Sequence, residues 1–424
     1  MSGIIIAAPS SGSGKTVITL GLLRALKTRL GGVLSAKSGP DYIDPQFHSA
    51  AGANLCVNLD AWAMPPAQIR RLAEGSEFMV IEGAMGLFDG APPDGRGSTA
   101  DLARILDLPV VLVIDCARMA QSVVPIVNGF ARHDPMVHVA GVILNRVGSA
   151  RHEAMLRRAL ETISMPVLGA IHRSRDIDLP SRHLGLVQAF EHPDLENFLE
   201  HAGRLVENAV DIDRLTALAR PLPQRRDMIP RIERDKKIAI AHDDAFSFTY
   251  LHHMDAWSRM GYKTETFSPL NDDPVPEADL VFLPGGYPEL HAERLASASN
   301  FLCSLKNAAQ DTVIYGECGG YMTLGESLTD ATGKAHKMAG LLPLQTSFAD
   351  RKLHLGYRHL HAAQGPFAGF YKGHEFHYAT TLKAQGTALF EATDAEGTPL
   401  PAMGLIEGNV SGSFAHIIDR ALPI

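Results

Sequence analysis

The chain has 424 residues, more than one ordinary hydrophobic core accommodates, so two domains of near-average size are expected. Apolar residues at 46% and charged residues at 20% exclude a disordered or fibrous chain, and a net charge of -8 offers no basic surface to nucleic acid or an anionic membrane. Four cysteines make no disulfide framework over this length, no apolar run is long enough to span a bilayer, and the first residues lack the basic segment of a secretory signal. The expectation is a cytoplasmic protein with reduced thiols, acting on small molecules.

In chain order, an expected strand at 4–8 leads into Ala8-PSSGSGKT and then the helical pattern VITLGLLRALKTRL. Ser10, Ser11, Gly12, Ser13 and Gly14 are small enough for successive backbone N–H groups to curl around phosphate oxygens, with the positive end of the next helix behind them. Lys15 can reach the β- and γ-phosphates of ATP, and the Thr16 hydroxyl can ligate Mg²⁺. The loop departs from the usual pattern at Pro9, where glycine is expected six residues before the lysine. The bland alternative is a Gly/Ser-rich turn with an incidental lysine.

A second short strand precedes KSGPDYIDPQFH, a Gly/Pro-punctuated loop that carries Asp41 and Asp44. The strand at 78–81 closes on Glu82 and opens EGAMGLFDG, which carries Asp89. Mg²⁺ prefers hard oxygen ligands, and open α/β sheets gather their ligands at the carboxyl ends of strands. Asp41, Asp44, Glu82 and Asp89 are therefore candidate carboxylates, with Asp115, after the strand at 110–114, as a fifth. Asn145 ends a strand at 139–144 and is placed to read an adenine edge, although asparagine is also a common strand terminator. A strand at 167–171 and helical patterns at 194–210 and 212–220 complete the first half. This alternation means βαβ units and a parallel sheet with helices on both faces.

Prolines among many charges between 220 and 237 mark a linker, which gives domains at 1–225 and 237–424 with 226–236 between them. The second series begins with KIAIAHD and continues with DLVFLPGG and TVIYGECGG. The last is a G-x-C-x-G elbow: a strand, a sharp turn with small neighbours, then a helix that lifts Cys318 above the sheet. A free thiol has a pKa of about 8.5 and needs a base to become a nucleophile. Among nineteen histidines, His416 in GSFAHI is the expected base. Gly285 and Gly286 in PGGYPE, together with Gly319, supply backbone N–H groups for an oxyanion hole. His374 and His377 in GHEFHY fall on opposite faces if that segment is a strand, so they are not expected to pair on a metal. Cys56, Cys116 and Cys303 are expected to be small buried core residues.

The motifs IIAAPSSGSGKT, KSGPDYIDPQFH, EGAMGLFDG, SRHLGLVQA, AHDDAFSFTY, PGGYPEL, GECGGYM, GHEFHY and GSFAH together resemble the cobyrinic (or hydrogenobyrinic) acid a,c-diamide synthase family, over essentially the whole chain. The resemblance implies an α/β protein of two doubly wound domains. The first is a P-loop parallel sheet similar to dethiobiotin synthetase, and the second is similar to class I glutamine amidotransferases, with a flavodoxin-like sheet. It implies ATP- and glutamine-dependent amidation of the a- and c-acetate carboxylates of a corrinoid, through an acyl phosphate, in cobalamin biosynthesis. Ser11 to Thr16 and Asn145 would bind ATP, with Thr16, Asp41 and Glu82 at Mg²⁺ and Tyr42, Asp44 and Asp89 toward the corrinoid carboxylate. Cys318 and His416 would hydrolyse glutamine, and a shielded path for the ammonia is implied. Many class I amidotransferases carry glutamate two residues after the histidine; here that residue is Ile418, so a backbone carbonyl or a more distant carboxylate must orient His416.

The compactness of the chain favours hydrogenobyrinate over the cobalt-containing ring. A nickel-sirohydrochlorin or cobyric acid amidating relative is an alternative within the class. A P-loop switch ATPase with an inactive amidotransferase-like module is an alternative outside it. Homodimerisation is left open.

Overall fold

The computed structural model describes residues 2–52, 54–75, 77–173, 181–182, 185–186, 188–222 and 235–422. The chain divides into two compact units, Met1–Asp227 and Met228–Ile424. Most of the expected linker at 226–236, and part of the SRHLGLVQA motif, lie outside the described residues.

The first unit is built on strands β1 (Ser2–Ala7), β2 (Val33–Ser38), β3 (Cys56–Leu59), β4 (Phe78–Glu82), β5 (Val110–Asp115), β6 (Val139–Val147) and β7 (Val167–His172). They lie in the order β3-β2-β4-β1-β5-β6-β7, and every neighbouring pair is parallel. Residues Arg220–Pro221 add a short antiparallel strand to β1. Ile4, Ile5 and Ile6 on β1 and Val110 to Ile114 on β5 are completely buried, as expected of central strands covered on both faces. Helix α1 (Lys15–Leu30) is buried nearly all round, because it packs on the sheet and also against the helix Leu195–Ala209. The order places β4 beside both β1 and β2, so the loop after β1 and the end of β2 meet at Glu82. In register, Glu82 stands opposite Ile6 on one side and Lys37 on the other.

The second unit centres on a six-stranded sheet in the order Lys263–Phe267, Lys237–Ala241, Leu280–Leu283, Val313–Glu317, Val410–Ser413, Leu405–Glu407. The first five strands are parallel and the last is antiparallel. The sequence pattern anticipates this open sheet but not the architecture beyond the elbow. Residues 327–403 form two further sheets made largely of antiparallel strands, one of four strands and one of five that is completed by His416–Ala421. Ser413 pairs with Glu317 in the central sheet, and His416 pairs with His374 in the five-stranded one. The short link between Val410–Ser413 and His416–Ala421 thus carries the chain from one sheet to the other at the level of Cys318.

Candidate active sites

In the first unit, Gly12 and Gly14 adopt positive φ (77° and 84°), which lets the loop curl before α1. The Ser13 hydroxyl donates to the Ser10 carbonyl (2.9 Å), and the Lys15 ammonium donates to the Met85 carbonyl (2.6 Å). The missing glycine at Pro9 does not prevent the turn. The Asn145 amide donates to the Ser13 carbonyl (2.9 Å), and Arg146 reaches the Gly12 carbonyl (2.9 Å) and the Asp115 carboxylate (2.6 Å). Asn145 and Arg146 therefore brace the loop from the end of β6. Contact with an adenine edge would use the second amide hydrogen of Asn145 or the remaining lone pair of its Oδ1, which accepts the Arg146 N–H (2.9 Å).

Glu82 is the hub of this end of the sheet. It is 0% exposed; its Oε1 accepts from the Thr16 hydroxyl (2.8 Å) and from Lys37 (2.9 Å), and its Oε2 accepts from His48 (2.6 Å). Burial alone would raise the carboxyl pKa, but Lys37 and His48 overcome that and hold it well below the usual carboxylate range. Lys37 also pairs with Asp44 and lies 4.0 Å from Asp41. Burial opposes its charge, and the surrounding carboxylates of Asp44, Glu82 and Asp41 outweigh burial, so its pKa is raised well above that of a free lysine. Burial, then Asp41, push Asp44 up to about 6 against the pull of Lys37.

The expected residues do gather here, but in different postures. Asp41 uses one oxygen to accept from the N–H groups of Ile43 (2.9 Å) and Asp44 (3.0 Å), at the start of helix α2 (Asp44–Gly52). Tyr42 is half-buried beside it; Asp89 is exposed and accepts from the Gly86 N–H (2.9 Å). Asp44 is buried, with its carboxylate on Lys37. Lys37 and His48 escape sequence reasoning, although both lie in KSGPDYIDPQFH. The available signal is charge: a buried carboxylate cluster requires cations, and these are the two nearest in sequence. A hydroxyl beside carboxylate oxygens is the type of donor set that Mg²⁺ takes, and here Glu82 Oε1 is already shared by Thr16 and Lys37 and Oε2 is held by His48.

In the second unit, the strand Val313–Glu317 ends at Cys318, which adopts φ 47° and ψ -99° before the short helix Gly319–Leu324. The strain is held by the N–H of Cys318 on the Ser413 carbonyl (2.8 Å) and that of Gly320 on the Pro284 carbonyl (3.0 Å). A Cβ on Gly320 would lie 1.9 Å from the Leu283 carbonyl, so the helix can approach the neighbouring strand only with glycine there. Gly285 is equally constrained: a Cβ there would lie 2.4 Å from His416 Cε1, 3.0 Å from its Nε2 and 3.4 Å from Cys318 Cβ. That one point brings together three expected site residues, Gly285, Cys318 and His416. Gly286 N lies 3.1 Å from the Cβ position of Gly319, so the two glycine turns close around the thiol.

Burial raises the Cys318 thiol pKa strongly, and the Glu289, Glu375 and Glu317 carboxylates add to this, while the Gly319 N–H opposes it. That direction favours the thiol over the thiolate at Cys318. His416 is 1% exposed and directs Nδ1 to Glu317 Oε2 at 3.5 Å. The carboxylate beside His416 thus comes from Glu317, the residue before Cys318.

His374 and His377 lie on one strand, Gly369–His377, and keep different company. His374 meets Tyr357 (5.3 Å between ring centres), whereas His377 stacks on Phe414 (3.9 Å) and His354 (4.7 Å). Among the described residues, His354, Glu375 and His377 do bring potential metal-ligating atoms within 4.8 Å of one another. Arg358, 2.8 Å from Glu375, already supplies the cation. Of the cysteines expected in the core, Cys56 and Cys116 are buried but Cys303 is exposed, because its helical position faces solvent.

These two sites define a glutamine-dependent, amide-forming ligase with a nucleotide-binding unit. Residues 4–187 match the CobQ/CobB/MinD/ParA nucleotide binding domain, and residues 237–421 match the CobB/CobQ-like glutamine amidotransferase domain. The chain is 54% identical to hydrogenobyrinate a,c-diamide synthase of Brucella anthropi, with 99% of each chain covered. It is 51% identical to that of Rhizobium meliloti (99% of each) and 48% identical to that of Rhodobacter capsulatus (98% of each). The chain belongs to the hydrogenobyrinate a,c-diamide synthase family.

Proposed function

We propose that this ligase uses ATP to activate the a- and c-acetate carboxylates of a corrinoid, hydrogenobyrinate before its cobalt-containing counterpart, and amidates them with ammonia drawn from glutamine. The observation that carries the reading is the Thr16–Glu82 contact at 2.8 Å, which joins a phosphate loop to a buried carboxylate. A phosphate loop without a carboxylate partner would suit binding alone.

A carboxylate is a poor electrophile. Its oxygen attacks the γ-phosphorus of ATP, ADP leaves, and the resulting acyl phosphate accepts ammonia with loss of phosphate. Catalysis of this kind is mostly positioning and charge neutralisation. Lys15 and the loop N–H groups hold the phosphates, Lys37 pairs with Glu82 and Asp44, and Tyr42, Asp44 and Asp89 lie on the side of the corrinoid carboxylate. Mg²⁺, held by Thr16, Glu82 and Asp41, would neutralise phosphate charge. In the second unit His416 takes the proton of Cys318 as sulfur attacks the glutamine carboxamide. Gly285, Gly286 and Gly319 receive the oxyanion, ammonia leaves, and water hydrolyses the thioester to glutamate.

The decisive experiment incubates the protein with ATP, glutamine and carboxylate-¹⁸O-labelled hydrogenobyrinate or cobyrinate. The expected result is a diamide by mass and one ¹⁸O in the phosphate released per amide. Amide formation without ¹⁸O transfer would remove the acyl phosphate from the reading. A higher kcat/KM with cobyrinate would reverse the choice of ring.

A further inference from the structure

We propose that Glu317 is the positioning residue of the glutamine site: its carboxylate holds Nδ1–H of His416, so that Nε2 faces Cys318 as the base. This rests on the reading of Cys318 and His416 as nucleophile and base. The position two residues after His416 holds Ile418, which is buried and has no charge to offer. Glu317 reaches the same ring from the opposite direction in the chain. Its Oε2 lies 3.5 Å from His416 Nδ1, while its Oε1 accepts the N–H of Ile417 at 3.0 Å. One carboxylate thus bonds the backbone of residue 417 and lies within ion-pair distance of the ring of residue 416, and it is only 4% exposed.

The backbone explains why the glutamate can serve. Val313–Glu317 runs parallel to Val410–Ser413, with Glu317 opposite Ser413. The Ser413 hydroxyl accepts the N–H of Ala415 (3.1 Å), which turns the chain and delivers His416 above the end of the first strand. Alternation along that strand puts Glu317 and Tyr315 on one face, and the turn at Cys318 then swings the thiol toward the ring. The remaining groups around the pair are weaker candidates for orienting it. His374 faces His416 across the antiparallel pair, but burial, then His416 and Arg358, push it down to about 3, so it carries no charge at neutral pH. The Tyr315 phenol is kept protonated by burial and by Glu317 itself. Glu289 and Glu375 act on the thiol of Cys318.

The chemistry required of Glu317 is modest. It fixes the tautomer that has hydrogen on Nδ1 and stabilises the imidazolium formed when Nε2 takes the thiol proton. A separation of 3.5 Å is long for a hydrogen bond in the resting site, and such bonds tighten when the base becomes charged.

The test compares full-length wild type with Glu317→Gln, Glu317→Asp, His374→Asn and Cys318→Ala, measuring glutamine hydrolysis and ammonium-dependent synthesis. Glutamine retains an oxygen for the Ile417 N–H but cannot stabilise a cation. Glu317→Gln should lower the hydrolysis kcat by roughly a hundred- to ten-thousandfold, by analogy with neutralised triad acids, with the glutamine KM within about threefold. The acidic limb of its kcat/KM–pH profile should move to lower pH, because the imidazolium loses its counter-charge. Glu317→Asp should recover part of the rate, and ammonium-dependent synthesis should persist in both variants. A kcat within about threefold of wild type in Glu317→Gln, an unmoved acidic limb, or an equal loss in His374→Asn would overturn the proposal. If Glu317→Gln fails to accumulate as folded protein, the decision passes to Glu317→Asp: unchanged kcat and pH profile there also overturn it. Hydrolysis that survives Cys318→Ala would instead sink the underlying nucleophile assignment, a distinct result.

Discussion

His48 Nε2 lies 2.6 Å from Glu82 Oε2, and both side chains are completely buried. The second ring nitrogen of His48 is 3.4 Å from the Cys56 sulfur. Burial opposes a charge on this imidazole, yet the Cys56 sulfur and the Glu82 carboxylate hold its pKa up to about 10. The contact fixes the deep oxygen of Glu82, leaving the other for Thr16 and Lys37.

A histidine raised on folding stabilises the protein fully below its unfolded pKa of about 6.5, and that contribution fades as pH rises through the folded value. Glu82, depressed on folding, behaves in the opposite sense: its contribution is present above about pH 4.3 and is lost as pH falls. The pair is thus fully effective near pH 5 to 6.5. The stability of wild type relative to His48→Gln should fall by about 3 kcal/mol between pH 6.5 and 10, the magnitude of a broken buried pair. Urea titrations at four or five pH values measure this, and a pH-independent difference would contradict it.

Glu82→Gln should lower ATP- and ammonium-dependent amide synthesis by about a hundredfold or more, the effect expected of the phosphoryl-transfer role proposed for this carboxylate. The same change leaves Lys37 and His48 facing a neutral amide in a buried site, so the melting temperature should drop as well. Glutamine hydrolysis, carried by the other unit, should remain. Near-normal synthesis in this variant would take Glu82 out of the site.

Cys318→Ala should abolish synthesis from glutamine while leaving synthesis from concentrated ammonium salt largely intact, since free ammonia bypasses only the first chemistry. Parallel assays with the two nitrogen donors are sufficient. Equal loss with both would refute the assignment.

Gly285→Ala should act on the base without touching it chemically. The added methyl would lie 2.4 Å from His416 Cε1, so either the ring or the turn must move. Glutamine hydrolysis should fall by about a hundredfold, in line with the effect of an ångström-scale misplacement, with the ammonium-dependent rate preserved. A structure of the variant with the ring unmoved and hydrolysis at the wild-type rate would rule this out.

Local signals in the chain are sufficient for much of this picture. The phosphate loop, the carboxylates after strands, and the elbow at Cys318 each occupy a few consecutive residues whose types imply a backbone shape. Continuous apolar runs mark β1, β4, β5, β6 and β7 because both faces are covered. The strand Cys56–Leu59 is only four residues, CVNL, and is interrupted by Asn58, so it has no such run. The antiparallel sheets after residue 326 alternate polar with apolar residues and are punctuated by histidines and glycines, which obscures their pattern. The relationships that escape sequence reasoning are those between distant residues: Glu82 with His48 across a helix, and Glu317 with His416 across two sheets. No spacing encodes them, because strand order and register decide which side chains meet.

The link from Val410–Ser413 to His416–Ala421 also bears on the timetable of synthesis. On a ribosome the first unit can pack its phosphate loop as soon as its own strands have emerged, since domains generally fold as units, N-terminal first. The thiol at Cys318 is made much later and still waits for Ser413 to pair beside Glu317 and for His416 to arrive, a long-range closure of the slow kind. A nascent chain can therefore hold nucleotide well before it can hydrolyse glutamine. On the roles proposed for Cys318 and His416, glutamine hydrolysis would begin only after the nucleotide-binding unit is complete.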